Sequence, residues 1–274
     1  MGSRMAKNLL SAGHQVTVWN RSEERTQPLV EAGAIAAKTP SAAVENADFV
    51  ISMVRDDEAS RDVWLGKSGA LKRMKKGAIA LESSTLTVAW TRSLAEKFQA
   101  QGIDFLDAPV AGSRPQAEAA QLIYLVGGSK DIFEKAKPIF DTLGSAAHYA
   151  GESGNGTAIK LAVNTLFAAQ AATIAELIAL MKKCGIEGDR TAEILSATPV
   201  CSPAAKGLAA AMVAQKFAPL FPIELVEKDL SYLTKTAEEK GAEVPIAAIT
   251  QQQFGDAIAQ GKSADNITGI IQLY

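Results

Sequence analysis

The sequence predicts an α/β domain with a mostly parallel sheet, followed by an all-helical domain. Short β-rich segments alternate with helical patterns over roughly the first 150 residues, as in parallel sheets covered by helices. After Gly154 the strand signals stop, and every later segment has helical periodicity. Glycines at 151, 154 and 156 accompany the change, so we predict domains at 1–152 and 153–274.

The composition is that of a globular protein. Of the 274 residues, 47% are hydrophobic and 21% are charged. A net charge of -2 provides no broad basic surface, so we expect no nucleic-acid partner. Cys184 and Cys201 form no CxxC pair and only two histidines are present, so we expect no metal and a reduced, cytoplasmic location. We see no signal-peptide core and no apolar run of about 18 residues, and expect no membrane association.

The elements of the first domain follow from periodicity, caps and turns. Residues 3–12 have helical periodicity, and Gly13 suits the end of that helix. The alternating segment 15–19 predicts a strand, and Ser22 is a suitable N-cap for a helix over 23–32. Further strands are predicted at 34–37, 48–54, 78–82, 103–107, 122–126 and 145–149. Further helices are predicted at 40–46, 57–65, 87–101 and 130–142, with a loop at 108–115.

The second domain is predicted to contain helices only. They are expected at 156–184, 189–197, 203–215, 224–240, 245–260 and 264–273. The first is long and rich in alanine, which allows close packing, and the domain is apolar. We therefore expect a homo-dimer or homo-tetramer.

Lys160 and Asn164 are the most informative pair in the long helix. They are four residues apart, so one face of the helix presents an ammonium and a carboxamide together. A lysine in apolar surroundings has a lowered pKa and can exchange a proton near neutral pH. The alternative is a solvated lysine on an amphipathic helix, which is the usual situation for this residue type.

Residues 2–22 contain part of a dinucleotide-binding pattern. That pattern is GxGxxG after a first strand, and only its final glycine can be present here, as Gly2. NAD enzymes then place an acidic residue about 20 positions further on, whereas this chain has Asn20, Arg21 and Ser22. A guanidinium and a hydroxyl suit a 2′-phosphate, so we expect NADP(H) to be preferred over NAD(H). An ordinary surface turn is the alternative.

The strand that precedes this glycine is missing from the sequence. In a doubly wound sheet it is central, and the turn after it contacts the pyrophosphate. We therefore expect the start at Met1 to be a shortening of a longer gene product, and the chain as written to bind NADPH weakly or to fold poorly. Adding an upstream strand with GxGxx should restore binding. Tight NADPH binding by the 274-residue chain in a fluorescence titration would contradict this expectation.

Four motifs occur in order along the chain. They are Met1-Gly2-Ser3-Arg4-Met5-Ala6-Lys7-Asn8-Leu9, Asp107-Ala108-Pro109-Val110-Ala111-Gly112-Ser113, Gly154-Asn155-Gly156 with Lys160 and Asn164, and Lys228-Asp229-Leu230. With them the chain resembles the β-hydroxyacid dehydrogenase family, which includes 3-hydroxyisobutyrate dehydrogenases and glyoxylate/succinic semialdehyde reductases. The resemblance implies a Rossmann-type domain, an all-α C-terminal domain and a site between them. It also implies that Lys160 protonates the aldehyde oxygen as hydride arrives from the nicotinamide, while Asn164 holds Lys160 or the substrate.

The resemblance assigns further residues to the cofactor and to the substrate. The cofactor residues are Gly2, Asn20, Arg21, Ser22, Met53, Val54, Ser84, Thr85 and Lys228. The substrate residues are Ala111, Gly112, Ser113, Phe221 and Asp229. Ala111 replaces the usual serine of the family and Ser113 replaces a common second glycine, so the loop hydroxyl is lost or moved by two positions. This departure affects the choice of substrate more than the reaction type.

Three functions are left open. The first is NADPH-dependent reduction of a small carboxylated aldehyde, such as glyoxylate or succinic semialdehyde, because Asn20-Arg21-Ser22 is most similar to that branch. The second is a dehydrogenase of 3-hydroxyisobutyrate or a related 3-hydroxy acid, with NAD as an alternative cofactor. The third is a catalytically silent nucleotide-binding protein, against which the pair Lys160 and Asn164 argues. Imine reductases share the architecture, but Lys160 fits the hydroxyacid branch better.

Overall fold

The chain folds into an α/β unit and a helical unit. The computed structural model describes all residues from Met1 to Tyr274. The compact units are Met1–Lys160 and Leu161–Tyr274. The predicted change from α/β to all-α structure is therefore confirmed, and the long helix that begins at Asn155 runs from the first unit into the second.

The strands all lie in the first unit. They are β1 Thr17–Val18, β2 Ile35–Ala36, β3 Phe49–Ser52, β4 Ile79–Glu82, β5 Asp104–Asp107, β6 Val110–Ala111, β7 Leu122–Gly128 and β8 Gly144–Gly151. β1 and β2 form a separate parallel pair. The other six form one sheet in the order β3-β4-β5-β7-β6, with β8 also paired to β7. β7 is antiparallel to β5 and β6, whereas the remaining pairs are parallel.

The first unit contains several helices, and some of them begin at a side chain that caps the helix. The helices are α1 Gly2–Ser11, α2 Gln27–Val30, α3 Pro40–Ala43, α4 Asp57–Leu65, α5 Val88–Gln99, α6 Arg114–Glu118 and α7 Lys130–Leu143, with 3-10 helices at Glu23–Thr26 and Ala70–Arg73. The Asp56 side chain accepts a hydrogen bond from Ala59 N at the start of α4, and Thr87 caps α5 in the same way. These caps fix where α4 and α5 leave the sheet.

Two predictions in this unit were wrong in detail. The helix expected over 23–32 is divided between a 3-10 helix and α2, because Pro28 has no N–H for a helical hydrogen bond. The loop expected at 108–115 contains β6 and the start of α6. Ser113 begins α6 as its N-cap, and its backbone N–H donates to Gln116 Oε1 at 2.9 Å, which is half of a capping box.

Alternating residues of the central strands pack against opposite faces of the sheet. Ile79 and Leu81 of β4 contribute to one hydrophobic cluster, which also includes residues of α7. Ala80 of β4 and Phe105 of β5 contribute to a second cluster with α4 and α5. Both faces of β4 are therefore buried, as the near-continuous apolar strand sequences indicate.

The second unit is built on the long helix α8, Asn155–Lys183. The later helices are α9 Gly188–Ala197, α10 Pro203–Val213, α11 Ile223–Lys240 and α12 Pro245–Ala259, and the predicted final helix is a 3-10 helix at Ile267–Leu273. Ala168, Ala171 and Ala175 of α8 form a fully buried stripe at helical spacing. Their small side chains allow close approach of the surrounding helices, as predicted.

α8 is long and apolar enough to cross a membrane by length and composition, although polar residues such as Lys160 and Glu176 interrupt its apolar sequence. Core helices of globular proteins meet the same criteria. The buried alanine stripe of α8 belongs to the core of the second unit, so its apolar sequence has a structural explanation there.

Candidate active site

Several predicted cofactor residues meet at the carboxyl ends of β3 and β4. The two strands are parallel and pair Ser52 with Glu82, so the turns after them start side by side. Val54 N donates a hydrogen bond to Ser84 Oγ at 2.7 Å, which joins the two turns. Ligands of open α/β sheets bind outside the carboxyl ends of the strands, so this edge suits a dinucleotide.

The N-terminus of α1 lies at the same edge. A β-carbon placed on Gly2 would be 3.6 Å from the Met53 β-carbon, so the start of the helix is adjacent to the turn after β3. Backbone N–H groups at a helix N-terminus bind phosphate groups. Gly2, Met53, Val54 and Ser84 thus come together in the first unit, and Thr85 follows Ser84 directly. Of these groups, the N-terminus of α1 is the one suited to bind a phosphate group.

Asn20, Arg21 and Ser22 form a turn directly after β1. Asn20 Oδ1 accepts a hydrogen bond from Ser22 N at 3.0 Å, which shapes the turn. Arg21 is exposed. Ser22 occupies the N-cap position, but its hydroxyl forms no capping hydrogen bond, which differs from the expected role. The turn thus presents a guanidinium and a hydroxyl at the carboxyl end of a parallel strand, which is chemistry suited to a 2′-phosphate.

The predicted substrate residues at 111–113 lie at the junction of β6 and α6. Ala111 pairs with Ile123 of β7 in antiparallel register. Gly112 has a φ of +115°, which favours glycine. Ser113 is the N-cap of α6, so the structure gives it a local role in starting that helix. Its role toward a substrate stays a prediction.

Asp107 has a supporting role that the sequence did not predict beyond its place as the first residue of the 107–113 motif. Its side chain is fully buried at the end of β5. Oδ1 accepts a hydrogen bond from Gly154 N and Oδ2 accepts one from Thr157 N, both at 2.8 Å. Burial raises the pKa of Asp107 to about 6, although the two backbone hydrogen bonds oppose this rise. The carboxyl group therefore holds the first turn of α8, one turn before Lys160.

Lys160 is buried despite its charge. Its exposed fraction is 8%, and Asn164, one helical turn further along α8, has the same value. This burial contradicts the alternative of a solvated surface lysine. Gly156 allows the start of α8 to approach β7, because a β-carbon there would lie 2.3 Å from Leu125 O. The position of Lys160 is consequently determined by close backbone packing as well as by Asp107.

Asn164, Asp229 and Lys228 form a connected polar group in the second unit. Asn164 Nδ2 donates to Asp229 Oδ2 at 2.5 Å, which joins α8 to α11. Lys228 Nζ lies 2.9 Å from Asp229 Oδ1; this contact is an ion pair without the geometry of a good hydrogen bond. The Lys228 ammonium also lies 4.6 Å from the centre of the Tyr232 ring. Asp229 is 3% exposed, so the pair is largely removed from solvent, unlike most charge pairs on helix surfaces.

Phe221 lies just before α11 and packs against the hydrophobic core of the second unit. Its backbone N–H donates to Asn266 Oδ1 at 3.0 Å, which fixes the chain where it enters the helix. The structure thus explains a packing role for Phe221, while its predicted contact with substrate stays a prediction. No cluster of three or more metal-ligating side chains is present in the chain.

Comparisons with known proteins agree with this arrangement. Residues 1–151 match the family model for the NAD-binding domain of 6-phosphogluconate dehydrogenase, and residues 154–274 match that for the NAD-binding region of NADP-dependent 3-hydroxyisobutyrate dehydrogenase. Glyoxylate/succinic semialdehyde reductases 2 (chloroplastic) and 1 of Arabidopsis thaliana are 35% and 31% identical to the chain. Each alignment covers 99% of this chain, and 76% and 94% of the respective relative.

A solved structure of Mycobacterium tuberculosis 3-hydroxyisobutyrate dehydrogenase with L-serine shares the fold. The TM-score is 0.91 at 24% identity, with coverage of 100% of this chain and 95% of the other. The family matches extend over nearly the whole sequence, and the predicted resemblance is confirmed. The chain belongs to the β-hydroxyacid dehydrogenase family of NAD(P)-dependent oxidoreductases that act on CH–OH groups.

Proposed function

We propose that this oxidoreductase reduces a small carboxylated aldehyde, such as glyoxylate or succinic semialdehyde, to the hydroxy acid with NADPH. The observation that carries the proposal is the buried Lys160 on a helix whose first turn is held by Asp107. A carbonyl that accepts hydride develops negative charge on its oxygen, and one ammonium group supplies both a proton and a positive charge there. The names of the two Arabidopsis relatives support this substrate class.

The bound nicotinamide would supply the hydride. Gly2 at the start of α1, with Val54 and Ser84 at the ends of the turns after β3 and β4, would hold the dinucleotide. Arg21 and Ser22 would bind its 2′-phosphate. Lys228 would provide a further positive charge for the dinucleotide. The N-terminus of α1 at Gly2 and the exposed Arg21 guanidinium provide donors that support these roles.

Asn164 would position the proton donor. Asp229 accepts from the Asn164 amide nitrogen, so the orientation of the amide is set and its oxygen points away from that carboxylate. We propose that this oxygen accepts a hydrogen bond from the Lys160 ammonium or from a donor on the substrate. The buried Asp229 carboxylate then orients Asn164 by a hydrogen bond and forms an ion pair with Lys228.

The direct test is to measure NADPH oxidation with a panel of aldehydes. The loss of NADPH absorbance reports the rate of oxidation. Glyoxylate and succinic semialdehyde should be reduced much faster than uncharged aldehydes of similar size. If no aldehyde acid supports oxidation while NADPH binds, the chain is the silent nucleotide-binding protein and the proposal is wrong. The Lys160→Ala variant serves as the background control for contaminating reductases.

A 3-hydroxy acid dehydrogenase is the second candidate. It is favoured by the match of residues 154–274 to the model for NADP-dependent 3-hydroxyisobutyrate dehydrogenase. An assay of hydroxy acid oxidation, with 3-hydroxyisobutyrate and either NADP⁺ or NAD⁺, separates the two candidate functions. A higher kcat/KM for this hydroxy acid than for glycolate or 4-hydroxybutyrate would favour the second candidate.

Arg21→Asp is expected to shift the cofactor preference from NADPH toward NADH. The change removes a charged donor to the 2′-phosphate and introduces a carboxylate that repels it, so NADPH affinity should fall by about 10- to 100-fold. Fluorescence titration with both cofactors measures the shift. Arg25→Asp makes the same charge change on the adjacent exposed 3-10 helix and should leave the preference unchanged. An unaltered NADPH-to-NADH ratio in Arg21→Asp would contradict the assignment.

A further inference from the structure

Glu82 is a buried carboxyl group that the proposed reaction does not use. It is the last residue of β4, and its exposed fraction is 1%. Oε2 accepts hydrogen bonds from Ser60 Oγ and Trp64 Nε1, both at 2.7 Å. Oε1 accepts one from Ser84 N at 3.0 Å. Glu82 therefore connects α4, which carries Ser60 and Trp64, to the turn after β4.

The direction of each hydrogen bond indicates that both carboxyl oxygens of Glu82 act as acceptors. Trp64 Nε1 and Ser84 N can only donate. Ser60 Oγ accepts from Trp90 Nε1 at 3.1 Å, so its own hydrogen is directed to Glu82. None of these donors is charged. The polar network is thus satisfied only when both carboxyl oxygens accept, which makes its geometry sensitive to replacement of either oxygen.

Ser84 connects Glu82 to the cofactor edge. Its backbone N–H binds Glu82, and its hydroxyl accepts from Val54 N at 2.7 Å. Glu82 therefore holds the turn after β3 indirectly, through the two hydrogen bonds of Ser84. Because hydrogen bonds weaken steeply when their geometry departs from the preferred one, the rigidity of this connection matters for a ligand at the edge.

We infer that Glu82 is a positioning residue that holds Ser84 and Val54 in the geometry that receives the nicotinamide dinucleotide. The inference rests on the proposed function, since it assumes that NADPH binds at the edge formed by these turns. It assigns no proton transfer to Glu82. Its effect is expected in cofactor affinity, with little effect on the chemical step once the cofactor is bound.

Glu82→Gln is the sharpest test because the amide is nearly the same size and has only one acceptor. Whichever way the amide is oriented, its NH₂ group must face either Trp64 Nε1–H or Ser84 N–H, and two donors then oppose each other. We expect the Kd of NADPH to rise about tenfold, while kcat at saturating NADPH and aldehyde falls less than about threefold. Glu58→Gln on the exposed face of α4 is the matched control and should leave the Kd unchanged.

A double-mutant cycle with Ser84→Ala tests whether Glu82 acts through Ser84. If it does, the double variant should bind NADPH no more weakly than the weaker single variant, whereas independent effects would multiply. A multiplied effect, or a Glu82→Gln Kd equal to that of the wild type, would overturn the inference. Should Glu82→Gln fail to fold, Ser60→Ala removes one donor from the same carboxyl group. A raised Kd in that variant supports the inference, and an unchanged Kd refutes it.

The outcome also separates this inference from the proposed function. A wild-type chain that binds NADPH and reduces aldehyde acids, with Glu82→Gln binding equally well, refutes only the role of Glu82. A wild-type chain that binds NADPH but reduces no aldehyde acid refutes the proposed function, whereas the Kd values of the variants still test the role of Glu82. Titration of the protein without substrate keeps the two results independent of turnover.

Discussion

Lys160→Ala is expected to lower kcat for aldehyde reduction by about 10²- to 10⁴-fold, the range typical of lost general acid catalysis. The side chain is 8% exposed, so bulk water has little access to replace it as a proton donor. Steady-state NADPH oxidation at saturating aldehyde measures the loss. The Kd of NADPH should change little, because the proposed cofactor residues lie at the carboxyl ends of the strands, and α8 should remain folded by circular dichroism.

A second substitution of Lys160 distinguishes proton donation from positive charge, and a lysine elsewhere on α8 provides a control. Lys160→Arg keeps a positive charge but does not release a proton near neutral pH, so it should remain severely impaired. Lys182→Ala removes an exposed lysine near the end of the same helix and should retain wild-type kcat. Lys160→Ala with kcat close to the wild-type value would contradict the assigned role. Recovery of activity in Lys160→Arg would instead show that positive charge alone is sufficient.

Local sequence patterns were sufficient for most elements of the fold. The period of α8 predicted residues 156–184, and the structure has Asn155–Lys183. The apolar strand at 78–82 was predicted because both of its faces are buried, which gives a continuous hydrophobic run. The spacing of Lys160 and Asn164 placed them on one helix face because a helix has a fixed repeat. Each of these predictions depends on residues that are close in sequence.

The residues that support the candidate site could not be predicted in the same way. Asp107 binds backbone groups 47 and 50 positions further along the chain, and Ser60 reaches Glu82 across 22 positions. An acidic residue at the end of an apolar strand was the available signal for both carboxyl groups. Hydrophobic periodicity carries no information about such partners. The separate β1–β2 pair and the antiparallel β7 also depend on pairing between distant segments.

Asp107→Asn is expected to destabilise the first unit and to change how its stability depends on pH. The amide has one acceptor, so its NH₂ group must face either Gly154 N–H or Thr157 N–H, and an unsatisfied buried donor costs about 1–3 kcal/mol. The start of α8 should loosen as a result. Because Lys160 lies one turn further along the helix, kcat should fall together with stability.

The pH dependence follows from the raised pKa of Asp107. Burial raises it from 3.8 in the unfolded chain to about 6 in the folded protein. Between these values the folded state binds more protons, so this group's contribution to the free energy of unfolding decreases as pH rises through the window. The difference corresponds to about 3 kcal/mol lost by the wild type between about pH 4 and pH 7. Asn does not titrate, so the free energy of unfolding of the variant should lack this pH-dependent contribution. The difference in stability between the variant and the wild type should therefore become smaller at higher pH.

Urea unfolding at several pH values measures both effects. Trp19, Trp64 and Trp90 all lie in the first unit, so tryptophan fluorescence reports on the unit that contains Asp107. Asp104→Asn, at the other end of β5, is the matched control and should retain the wild-type pH dependence. If Asp107→Asn and the wild type lose stability in parallel across the window, the carboxyl group does not titrate there. The hydrogen bonds to Gly154 and Thr157 would then have to hold a carboxylate at every pH in that range.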